Sequence, residues 1–158
     1  MKRKIYKKKN PTEEQEQTAL IKYVKLKYPK ALFTVDLGGL NLNKAQRRIH
    51  SQRAKRGHPD LMFQEWFGDT WCGLAIELKR KDVKVVYANG DFKYKDEHLV
   101  EQLEYLNDLK NRSWFACFCS GFDDAKKVID WYMSGDLTGF QKINNVIYPK
   151  VDITKFVK

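Results

Sequence analysis

Cysteine is scarce in this 158-residue sequence, and Cys72, Cys117 and Cys119 form neither an even set nor a metal-finger spacing. That argues against a disulfide scaffold and points to reduced thiols in a cytoplasmic protein. The basic N-terminus is followed by no apolar signal-like stretch, and no apolar run approaches membrane-spanning length, so neither secretion nor membrane insertion is expected. Internal repeats and low-complexity segments are also missing. Acidic residues are lacking from two stretches: residues 1–9 (MKRKIYKKK) hold six basic side chains and no acidic one. Residues 37–59 hold six more, Lys44, Arg47, Arg48, Arg53, Lys55 and Arg56, again with no acid.

What is present suits one packed domain, with 42% hydrophobic and 13% aromatic residues. Lys and Arg number 30 against 20 Asp and Glu, a formal charge of +10. The two acid-free stretches account for the excess, and the remainder is near neutral. A polyanion with a phosphate backbone is the partner such patches fit.

Thr12 and Gln15 form a capping box at the start of a helix over Thr12 to Tyr28 (TEEQEQTALIKYVKLKY), whose opening turn is acidic. A strand is predicted over Ala31 to Asp36, ended by Gly38-Gly39. Asn43 caps a basic helix to about Lys55, with Lys44, Arg47, Arg48, Ser51 and Lys55 on one face. Asp60 to Trp66 and Cys72 to Arg80 read as strands joined by the turn 67–70, and Asn89-Gly90 marks a second, peripheral hairpin over 83–95. A helix from Asp96 to about Asn111, a buried strand 113–120 and a helix 122–133 follow. From Thr138 the chain reads as irregular. The order implies an α/β sandwich, a mixed β-sheet flanked by helices. It divides into a basic tail 1–11, a domain 12–134 and an extension 135–158.

If residues 67–70 form a four-residue loop, Trp66 pairs with Trp71 and Asp60 lies opposite Glu77. Alternation then puts Glu77 and Lys79 on one strand face, and opposed residues share that face, so the three groups converge. Two opposed carboxylates repel unless a divalent cation such as Mg²⁺ lies between them. A lysine beside it can orient a water or stabilise charge on a phosphate. Taken alone, Pro-Asp is a common turn dipeptide and Glu-x-Lys an ordinary solvated ion pair. Leu74, Ala75 and Ile76 make this strand largely apolar, however, so the pair needs an open face such as a cleft at the strand end.

GHPDL (57–61), GLAIELKR (73–80), EEQEQTALIKYV (13–24) and Gln102 in EQLEYL resemble, in order, the VRR-NUC branch of the PD-(D/E)XK nucleases, in particular the small stand-alone proteins carried by phages. The resemblance covers roughly Thr12 to Met133. It implies a restriction-endonuclease-like core and a Mg²⁺- or Mn²⁺-dependent endonuclease acting on DNA. By the same resemblance Asp60 and Glu77 are metal ligands, the Leu78 carbonyl also faces the metal, and Lys79 is the catalytic lysine. A glutamate of the first helix completes the set. Glu13, with Gln17 one turn later, matches the family's Glu-x-x-x-Gln spacing best; Glu16 is the second choice, and these acids also simply favour a helix N-terminus. Gln102 follows a short Ser-Pro turn in the family, where this chain has the hairpin 83–95 instead.

Lys44, Arg47, Arg48, Lys55 and Arg56 are the expected nucleic-acid contacts. No module for reading base edges is visible, so backbone contacts and selection by DNA shape are expected. Small relatives resemble Holliday-junction resolvases, which makes branched DNA and a two-fold homodimer the favoured expectations, in a bacterial host cell if phage-encoded. The rival readings are a non-catalytic DNA-binding protein on a nuclease fold and an RNA-processing nuclease. His50 and His58 read as solvated, Cys117 and Cys119 as core, and Trp66, Phe67 and Trp71 as core packing or base-stacking groups.

Overall fold

A computed structural model describes residues 10–36, 43–53 and 55–151, except for the side chains at 47 and 50–53. The basic tail 1–9 and the Gly38-Gly39 break lie outside the described residues. Five strands form one sheet in the order β1 (Phe33–Val35), β2 (Leu61–Phe63), β3 (Gly73–Lys79), β4 (Trp114–Ser120) and β5 (Ile147–Tyr148). β3 and β4 pair in parallel, and the other neighbours are antiparallel. The parallel pair requires a crossover, which α3 (Glu97–Lys110) provides. The mixed sheet flanked by helices anticipated from the pattern is what forms.

Alternation along β3 divides the core. Leu74, Ile76 and Leu78 join Leu20 and Val24 of α1 (Glu13–Lys27) and Val128 and Ile129 of α4 (Gly121–Ser134). Ala75 joins Leu99, Leu103 and Leu106 of α3 on the opposite face. Every residue of β3 is buried, and Glu77 is therefore a carboxylate on the innermost strand of the domain.

Local signals act where they stand. Thr12 and Gln15 make the capping box of α1, and Asp96 accepts from the Leu99 N–H at the start of α3. Gly57 has φ +77°, and a Cβ there would lie 2.4 Å from the Glu101 carbonyl oxygen, so the loop before β2 packs directly on the α3 backbone.

Three expectations need correction. β2 spans only Leu61–Phe63, because Gln64 donates its N–H to Leu32 and Phe67, not Trp66, bridges to Trp71. Phe67 and Trp71 thereby both enter an aromatic cluster with Trp131 and Tyr132, while Trp66 is left 72% exposed. The 83–95 segment turns at Gly90 and carries a single bridge, Val86 to Phe92, yet it is not wholly peripheral, since Val85 and Phe92 are buried against the α3 face of the sheet. The stretch read as irregular from Thr138 holds α5 (Phe140–Asn144) and β5, and Phe140, Ile143 and Ile147 enter the core.

Candidate metal centre

The β2–β3 register is the one anticipated for the site. Leu61 pairs with Ile76 and Met62 with Ala75, a register that continues to Asp60 and Glu77 just beyond β2. Glu13 reaches the same point from the first turn of α1. One carboxylate oxygen from each of Glu13, Asp60 and Glu77 lies within 4.8 Å of the others. Lys79 Nζ is 2.8 Å from Glu77 Oε1 and 3.6 Å from Glu13 Oε1.

Each member is fixed by its surroundings. Asp60 Oδ2 accepts from the Leu78 backbone N–H at 2.7 Å, and Oδ1 faces Gln17 Nε2 at 3.4 Å. Gln17 also donates to the Asp36 carbonyl, tying α1 to the end of β1. Glu77 Oε1 accepts from Gln102 Nε2, while Glu77 Oε2 and Gln102 Oε1 are buried with no hydrogen-bond partner. Glu16 does not join the cluster: its Oε2 accepts the Phe122 N–H at 2.7 Å, at the start of α4. The two candidate glutamates of α1 thus have separate employment.

The electrostatics are compatible with a bound cation. Burial pushes the Asp60 carboxyl up to about 6, against the opposing pull of the Leu78 N–H and the Lys79 charge. Burial, reinforced by the Asp60 charge, also holds Glu77 well above the usual carboxylate range. Burial alone would lower the Lys79 ammonium, but the Glu77, Glu13 and Asp60 carboxylates raise it on balance. One ammonium faces three carboxylates. A buried carboxylate oxygen without a donor is suited to a divalent ion, so the residues present fit a hard cation with oxygen ligands.

The cluster opens into a cleft of about 870 Å³ lined by eight carboxylate side chains and three from Lys or Arg. Lys55 and Arg56 line it while pairing with Asp108 and Glu101 of α3, each at 3.2 Å. Lys44 and Arg48 are exposed on α2 (Lys44–Arg53), whereas the Arg47 and His50 side chains lie outside the described residues. His58 is half-buried rather than solvated, with Nδ1 3.0 Å from the Pro59 carbonyl and its ring edge-on to Tyr105. Cys117 and Cys119 are core, and burial raises the Cys119 thiol.

Sequence reasoning gave no site role to Asp36, whose N–H bonds the Asp60 carbonyl, or to His98, whose Nε2 is 3.1 Å from Gln102 Nε2. Only His98 left a local trace, standing one helical turn before Gln102.

A solved structure described as a VRR_NUC domain protein superposes with a TM-score of 0.57 at 20% identity, covering 80% of this chain and 92% of that one. This chain has a VRR-NUC fold. No family model matches the sequence, and no curated protein does. The VRR-NUC fold and the five-stranded mixed sheet together accord with a PD-(D/E)XK-like core. Among the described residues, no helix is long and apolar enough to cross a membrane.

Proposed function

We propose that this protein is a Mg²⁺- or Mn²⁺-dependent endonuclease that hydrolyses DNA phosphodiester bonds and selects branched, Holliday-junction-like substrates by shape. The observation that carries the reading is the convergence of Glu13, Asp60 and Glu77 within 4.8 Å beside Lys79. A protein that only binds DNA gains nothing from three carboxylates facing a polyanion.

Asp60, Glu77 and Glu13 would hold the ion, with the Leu78 carbonyl as a further ligand. When bound, the ion supplies Lewis-acid activation of the phosphodiester and of the attacking water. Lys79 then orients that water or stabilises charge developing on the phosphate. Gln102 acts through Glu77, holding one carboxylate oxygen so that the other faces the ion. Lys44, Arg47, Arg48, Lys55 and Arg56 contact phosphates, Lys55 and Arg56 by exchanging their α3 partners for DNA. A two-fold homodimer suits a junction with two-fold symmetry.

Labelled linear, flap, four-way and RNA substrates incubated with Mg²⁺ or with excess EDTA test the proposal. Cutting of the branched DNA that EDTA abolishes is the expected result. Undiminished cutting in EDTA, preference for RNA, or no cutting of any substrate would overturn it.

A further inference from the structure

Lys79 lines two cavities. Beyond the acidic cleft it also borders a pocket of about 330 Å³ whose lining includes Val83, Val85 and Phe118. A shallower groove of about 760 Å³ shares Val86, Tyr87 and Tyr148 with that pocket. Shared lining residues place the three in a row, from the carboxylate cluster across the 83–95 hairpin to the edge strand β5.

Charge reverses along this row. Carboxylates dominate the cleft, yet none lines the second pocket, where Lys81 and Lys84 stand with Lys79. Lys81 is paired with Asp123, but Lys84 is exposed. Lys95 and Lys150 continue the series in the outer groove, against a single acid, Asp91.

Aromatic rings are interleaved with these lysines. Tyr87 is 45% and Tyr94 68% exposed, although both stand beside a hydrophobic core that buries Phe92. Tyr94 is held edge-on by the Phe92 ring, with centroids 5.3 Å apart, and Lys93 Nζ lies 5.9 Å from the centre of the Tyr87 ring. Exposed rings spaced by lysines are what grips a single strand, because unpaired bases stack on the rings while phosphates meet the cations. A duplex keeps its bases stacked on each other and has none to offer.

We infer that the 83–95 hairpin and β5 form a track for single-stranded DNA leading out of the cleft, with bases stacking on Tyr87 and Tyr94 and phosphates meeting Lys84 and Lys95. The track's role rests on the nuclease reading: it takes a strand left unpaired at the branch of a substrate whose scissile phosphate lies at Lys79.

The test is a metal-free titration, in EDTA, of a fluorescent single-stranded oligonucleotide and of a blunt duplex. Replacing both tyrosines, Tyr87→Ala with Tyr94→Ala, should weaken single-strand binding about tenfold or more, whereas Phe at both positions should retain it within about twofold. Duplex affinity should change by less than about twofold in either pair. Lys84→Glu with Lys95→Glu, at two exposed positions, should reduce the salt dependence of single-strand binding by roughly one to two in slope. Full single-strand affinity in the Ala pair, equal weakening for the duplex, or no single-strand binding by the wild-type protein would overturn the assignment. Because hydrolysis plays no part in this assay, the two readings fail separately. A protein that binds through the tyrosines but never cuts with Mg²⁺ sinks the nuclease, and one that cuts while the Ala pair binds normally sinks the track.

Discussion

Gln102 holds Glu77 by one oxygen only. Its Nε2 donates to Oε1, which also receives Lys79 Nζ at 2.8 Å, and Oε2 is left buried without a donor. Both donors on the same atom fix the carboxylate's rotation and, in the proposed site, leave the unpartnered oxygen for the ion. Gln102→Leu removes that restraint without introducing charge. Partners of metal ligands typically contribute about 10- to 100-fold in affinity or activity, so the Mg²⁺ concentration giving half-maximal cleavage should rise by that order. An unchanged Mg²⁺ dependence would assign Gln102 a packing role alone.

Asp60 makes stability depend on pH in a definite direction. Burial lifts its folded-state value from the usual 3.8 to about 6, so between those limits the folded protein keeps a proton that the unfolded chain has lost. This contribution is fully present below about pH 4 and falls by on the order of 3 kcal/mol as pH rises through about 6. Glu77, raised for the same first reason, acts with the same sign. Urea midpoints of the metal-free protein should therefore decline over this window, and Asp60→Asn should flatten the decline. Saturating Mg²⁺ should oppose it, since the ion favours the ionised carboxylates.

Asp130 acts with the opposite sign. Burial would raise its carboxyl, but Lys126, Tyr23, Lys27 and Tyr28 all donate to it and together lower it to about 2. Tyr23 and Lys27 belong to α1, Tyr28 is its C-cap, and Lys126 belongs to α4, so this group latches the two helices. Its contribution is present above the ordinary value of 3.8 and is lost as pH falls toward 2. Asp130→Asn should lower the melting temperature at neutral pH, with the difference from wild type shrinking as the solution is acidified. A constant difference across that range would assign the effect to packing.

Gly57→Ala should be costly. The added Cβ would meet the Glu101 carbonyl oxygen at 2.4 Å, and φ +77° is strained for alanine in any case. The strain alone is worth about 1–2 kcal/mol, and relief of the backbone clash brings the total to roughly 2–4 kcal/mol. Because Glu101 precedes Gln102, the shift should also displace the Glu77 restraint. Equilibrium unfolding reads the first effect and the Mg²⁺ titration the second; wild-type values in both would mean that α3 gives way freely.

The legible parts of this protein were those governed by short-range rules. A period of two and one turn length bring Asp60 opposite Glu77, and Thr12 and Asp96 cap the helices they precede. The turn itself differed because the aromatic cluster needs Phe67 as well as Trp71, which shifts the bridge by one residue without disturbing the strand below. β5 and α5 are too short to show a period, and they exist because their few apolar residues complete a core built by distant elements. The choice between Glu13 and Glu16 was likewise not local. Glu16 is engaged by the Phe122 N–H, a partner 106 residues away, and no spacing within α1 reports that.

Glu77→Gln separates the nuclease from a binder on the same fold. The substitution keeps side-chain size and deletes one of the charges proposed to hold the ion. If Glu77 is a ligand, hydrolysis should fall by several orders of magnitude, because water activation and charge stabilisation both depend on the ion. DNA binding should survive, and without metal it should tighten, since a carboxylate in the cleft repels the scissile phosphate and an amide does not. Folding should survive as well, because the amide relieves a carboxylate that burial already disfavours in its charged form. Ca²⁺ offers a companion arm in the wild-type protein: its looser coordination should support binding with little turnover, where Mg²⁺ and Mn²⁺ support both. The measurements are single-turnover cleavage of a branched substrate, a metal-free binding titration and circular dichroism. A folded Glu77→Gln protein that cuts at close to the wild-type rate would take this residue, and the carboxylate cluster with it, out of the reaction.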